Sequence, residues 1–66
     1  MSSFAEPRTF RMLREGHVVA YGVVFPNTGK CVVAWTGSFK SIVIWDSLTD
    51  LKAVNGHSDT HFVFYN

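Results

Sequence analysis

HVVAYGVVF (residues 17–25), PNTGK (26–30) and CVVAW (31–35) follow one another without a break, and they decide the fold. The outer pieces are dense in valine and aromatic residues, which suit a pleated surface, whereas the middle piece is a Pro/Asn/Gly turn of hairpin length. A second turn, TGSFK (36–40), leads into SIVIW (41–45), so three strands follow in a meander. Upstream, RTFRMLRE (8–15) fits a strand with Phe10 and Met12 on one face, or a helix that aligns Arg8, Arg11 and Arg14. It is short and stops at Gly16, which favours the strand. Downstream the period changes. Ser47, Leu48, Thr49 and Asp50 form an S-x-x-D start, with a hydroxyl to accept from the backbone three residues on and a carboxylate at the positive helix end. Leu48, Leu51 and Val54 recur at spacing three, and Asn55-Gly56 is a stop that tolerates the left-handed conformation. HFVFY (61–65) closes as a strand.

The order is β-β-β-β-α-β, an α+β and mostly β architecture. We expect an antiparallel sheet of four to five strands with one short helix before the last, or alternatively a small SH3-like barrel. Residues 1–7 read as a flexible lead-in and 8–66 as one small domain.

Of the 66 residues, 47% are hydrophobic and only 17% charged, with 6 Lys+Arg against 5 Asp+Glu. This is not the composition of a disordered tail, and the near-neutral balance argues against a binder that depends on a concentrated positive field. A chain of this size buries only about 60% of its unfolded surface. Cys31 is the one cysteine, so no disulfide within the chain supplements that core. A lone cysteine and an opening MSSFAEPRTF without a signal-like apolar core fit a cytoplasmic protein, and the apolar run 18–25 is too short to span a bilayer.

Alternation gives each strand two faces, and here both are apolar. Val19, Tyr21, Val23 and Phe25 form the bulkier side, expected to join Cys31, Val33 and Trp35 across the turn and to receive the helix. Val43 and Trp45 would extend it. Val18, Ala20, Val24, Val32, Ala34, Ile42 and Ile44, with Gly22, make the opposite face, which is flat and uncharged. One short helix cannot cover both sides. Either the sheet curls into a barrel or another chain covers the smooth face, since large apolar patches seldom stay in water. A second copy of this chain is the expected cover, and a host protein is a further partner.

Residues that would carry chemistry are sparse. His57, Asp59 and His61 at spacing two would hold a metal if extended, but three polar residues in a turn without a fourth ligand are ordinary, and no metal or cofactor is expected. A Ser/His/Asp triad needs groups from separate elements, and Cys31 in an apolar strand is an inert thiol, so no enzyme is expected. Aromatics at 15% together with Arg8, Arg11 and Arg14, with His57 as a further contact, leave a nucleotide or single-stranded nucleic-acid binding module as the alternative function.

VVAYGVVFPNTGKCVVAW, SIVIWDSLTDLKAVNGH and THFVF together resemble a family of short, mostly uncharacterised phage, prophage and microbial proteins. The family pattern runs V-A-x-G-V-x-F, then S-x-x-D, then an H-G-H-like turn before the last strand. Val19, Ala20, Gly22, Val23, Phe25, Gly29, Trp35, Ser41, Ser47, Asp50, Gly56 and His57 fall on its positions. Asn55 stands where the first histidine would be, and Thr28 widens the first hairpin loop. The resemblance implies a small accessory protein, phage-derived, that acts by binding another protein.

Overall fold

A computed structural model describes residues 6–38, 40–56 and 59–65. Its elements run β1 (Arg8–Arg14), β2 (His17–Val24), β3 (Cys31–Trp35), β4 (Ile42–Trp45), α1 (Leu48–Asn55) and β5 (Thr60–Phe64). All five strands join one antiparallel sheet in the order β4-β3-β2-β1-β5. The ambiguous segment at Arg8 is a strand, and a central one, with β2 on one side and β5 on the other.

This order makes β4 and β5 the two edges, and they point the same way. Joining them requires a crossover over the intervening strands. Four strand spacings of ~4.8 Å come to about 19 Å, and α1, about 12 Å long for its eight residues, covers much of that path. Ser47 starts the helix by accepting a hydrogen bond from the Asp50 N–H at 3.0 Å on Oγ. The helix lies on one face, with Leu51 fully buried and Leu48 packed against the core of Phe10, Met12, Ala20, Cys31 and Val33. Val54, expected on the same stripe, is 58% exposed. At about 100° per residue, a spacing of three drifts about 60° round the helix at each step, which carries Val54 to the flank. The barrel alternative is not what forms: the sheet is open, its edges held apart by three strands.

Two turns set the registers. Arg14 and His17 pair across Glu15 and Gly16, both with positive φ (52° and 81°), the pattern of a two-residue type I′ hairpin. Just beyond it the ladder slips between Met12 and Leu13, leaving Val19 without a register partner in β1. Its carbonyl instead accepts from Thr36 N–H at 3.0 Å, which ties the bulge to the end of β3. In the β2–β3 hairpin Phe25 N–H donates to the Lys30 carbonyl at 2.9 Å, closing a loop of Pro26, Asn27, Thr28 and Gly29. Asn27 and Gly29 take positive φ there, of 72° and 73°.

That four-residue loop corrects the expected faces. With PNTGK as a five-residue turn, odd residues of β2 would share a side with odd residues of β3. The actual partners are Val24 with Cys31 and Gly22 with Val33. Hence Ala20, Gly22 and Val24 lie on the helix side with Cys31, Val33 and Trp35, while Tyr21 and Val23 lie on the other. The Phe10 ring rests directly on Gly22, its cross-strand partner, where any β-carbon would collide with the ring. Phe62 and Phe64 flank Phe10 at centroid distances of 5.8 and 5.2 Å. Lys52 Nζ caps one end of this aromatic row, 5.3 Å from the Phe62 ring, and Arg8 the other, 4.2 Å from Phe64.

Candidate interaction surface

The face opposite α1 is assembled row by row by the strand registers. One row runs Ile44, Val32, Val23 and Thr9, with Tyr65 beyond Thr9, whose carbonyl accepts from the Tyr65 N–H. The next runs Ile42, Ala34, Tyr21, Arg11 and Val63, and Leu13 with Val18 continues the surface past the bulge. Directly opposite residues sit close enough to touch, so these rows form a mostly apolar surface. Ile42 and Ile44 are 71% and 68% exposed, and Tyr21, Tyr65 and Val63 are exposed as well. The one helix among the described residues lies on the other side.

The seven residues expected to share this face divide. Val18, Val32, Ala34, Ile42 and Ile44 are on it. Ala20 and Val24 are on the helix side, where Ala20 is completely buried and Val24 packs against the core. The loop parity explains both departures. Tyr21, Val23, Val63 and Tyr65 belong to the surface although the expected set omits them. The signal for the first two was Asn27 and Gly29, whose type and spacing suit left-handed positions in a four-residue loop. For Val63 and Tyr65 nothing in the sequence shows that β5 pairs with β1.

Arg11 interrupts the surface at its middle. Its guanidinium carbon lies 5.6 Å from the Tyr65 ring centroid, and its Nε is buried without an acceptor. On the helix side the Trp45 Nε1 is in the same condition. The three arginines read together in the sequence are not brought together. Arg8 and Arg14 project from β1 on the helix side, where Arg14 Nε donates to Thr60 Oγ1 at 3.0 Å, and Arg11 projects on the open side. A strand sends residues at spacing three to opposite faces. His57 lies outside the described residues, and so does its turn with Ser58.

Lys30 and Asp46, just before β3 and just after β4, pair at 3.0 Å. Both are well exposed, so their contribution to stability is of the small order usual for surface pairs, about 0–1 kcal/mol. Cys31 is fully buried, and burial raises its thiol pKa above the ordinary value of 9.0. A thiol kept protonated in an apolar core is a poor nucleophile. Among the described residues no helix is long and apolar enough to cross a membrane.

The description "Acb5 phage protein" matches residues 15–66, and the chain belongs to that family. The matched span holds β2 through β5 and α1, so it includes most of the open face but only the turn after β1. No curated protein and no solved structure matches the chain.

Proposed function

From its membership of a phage protein family, we propose that this chain acts by binding, and that a second copy of itself covers the open sheet face. One observation carries the proposal: a whole side of a five-stranded sheet displays Val32, Ala34, Ile42, Ile44, Tyr21 and Val63, and among the described residues no helix or strand lies over it. Five strands at ~4.8 Å and about five residues at ~3.3 Å make a surface on the order of 24 by 17 Å. A patch of that order matches the largest apolar patch of a typical monomer, and such patches are often functional. A core of six fully buried hydrophobic residues among those described points the same way, because a domain this small gains most from burial against a partner. The assembly then occupies a host protein as its target, without catalysis and without a cofactor, in the cytoplasm.

The face-to-face contact is tested with Ala34→Arg and Ile44→Glu, which put a charge on the face and leave the core alone. Each should reduce the mass in sedimentation equilibrium to 7.4 kDa while the circular dichroism spectrum stays that of the parent. An unchanged assembly in both variants contradicts the contact.

Nucleotide or single-stranded nucleic-acid binding is supported by one arrangement on the same face: Arg11 between the exposed Tyr21 and Tyr65. Exposed aromatics beside an arginine are a stacking platform. Oligothymidylate binding that weakens steeply with salt and is lost in Arg11→Met would favour it, and no binding at low salt would remove it.

A further inference from the structure

The outer edge of β4 is a separate surface. The hydrogen bond from Trp35 N–H to the Ser41 carbonyl (2.9 Å) fixes which residues of β4 face β3. In an antiparallel ladder the bonded pairs recur every second residue, so Val43 and Trp45 bond inward while the N–H and C=O of Ile42 and Ile44 point out of the sheet. Although β4 is only four residues long, Ile42–Trp45 contain no proline, no charge and no bulge to turn another strand away. Beside the edge lies a groove of about 380 Å³ between β4 and α1, lined by Ile44, Trp45, Asp46, Asp50, Ala53 and Val54.

We propose that β4 docks an extended segment of a partner protein in which apolar and basic residues alternate. An added antiparallel strand bonds to Ile42 and Ile44, and the residues opposite those two share their face, so apolar side chains suit them. The residues between project to the helix side, over the groove. There the apolar walls of Ala53, Val54 and Trp45 accommodate a long aliphatic stem, and Asp46 and Asp50 attract a cationic head. Asp46 already meets Lys30, but that pair is exposed, and a bidentate guanidinium is the stronger partner for a carboxylate. Face-to-face pairing of two copies uses the side chains of Ile42 and Ile44 but not their outward N–H and C=O groups, so the edge stays open to a strand.

The probe is a blocked peptide of three valine–arginine repeats, with valine–glutamate repeats as its counterpart, added to the 15N-labelled protein. Binding should slow exchange of the Ile42 and Ile44 amides at least tenfold while the Val43 and Trp45 amides change little. The glutamate peptide should bind at least tenfold more weakly. Ile44→Pro removes an outward N–H that the protein's own ladder does not use, so it should lower affinity at least tenfold with the fold retained. Asp50→Asn should lower it several-fold, and that variant serves if the proline variant does not fold. The proposal is overturned if the two peptides bind alike, or if neither protects the edge at millimolar concentration. It is also overturned if the Ile42 and Ile44 amides are already protected in the peptide-free protein, which would mean that a second copy occupies the edge.

Discussion

Phe10 and Gly22 show how much of this small core rests on one cross-strand pair. The ring fills the space that a side chain at residue 22 would take, and Phe62 and Phe64 close around it. Gly22→Ala should therefore cost about 2 kcal/mol, in the range for overpacking. In a chain of this length that is on the order of 10 °C in Tm. Calorimetry of the single variant and of the pair with Phe10→Leu checks it, and the second substitution should recover part of the loss. Cys31 gives a pH prediction. Its folded pKa is raised above 9.0, so above that pH the unfolded chain binds fewer protons than the folded one and stability falls as pH rises. Urea midpoints at pH 8 and pH 10.5 should drop further for the parent than for Cys31→Ala. Equal drops would mean that the thiol ionises alike in both states.

At the scale of elements, the β1–β2 turn carries a local conflict. Type I′ geometry puts Glu15 at φ 52°, in a region where an ordinary L-residue is disfavoured and asparagine is tolerated. Glu15→Asn should stabilise the chain by about 0.5–1 kcal/mol, read as a higher midpoint in urea without a change in slope. The end of α1 falls where Asn55-Gly56 marks it, but for another reason. Gly56 has φ −85°, not a left-handed value, and its N–H donates to the Lys52 carbonyl at 2.7 Å. A β-carbon there would press on that same carbonyl oxygen, so close approach is what demands glycine. Periodicity and capping chemistry act over a few residues, which is why the strands, the helix and the Ser47 cap were legible in the sequence. Pairing parity depends on whether a loop closes at Lys30 or Cys31. That single-residue difference moved Ala20 and Val24 into the core and Tyr21 and Val23 out of it. The pairing of β5 with β1 joins residues far apart in the chain, and no short-range pattern encodes it.

For the whole molecule, the consequential feature is asymmetry. One side of the sheet holds the helix and the aromatic row, and the other holds isoleucines, valines and tyrosines with no described element over them. Arg11 on that open side is set against the apolar trend. Its buried Nε lacks an acceptor, an arrangement that costs about 1–3 kcal/mol, and the contact with Tyr65 returns about 0.5–1. Arg11→Met keeps the aliphatic stem and should raise the Tm of the chain by several degrees, checked by thermal circular dichroism. We propose this side as an interface between copies. Sedimentation equilibrium of the unmodified protein over micromolar to millimolar concentration tests it most directly. The mass should be two or more times 7.4 kDa and should fall on dilution. A single 7.4 kDa species across the whole range would contradict it.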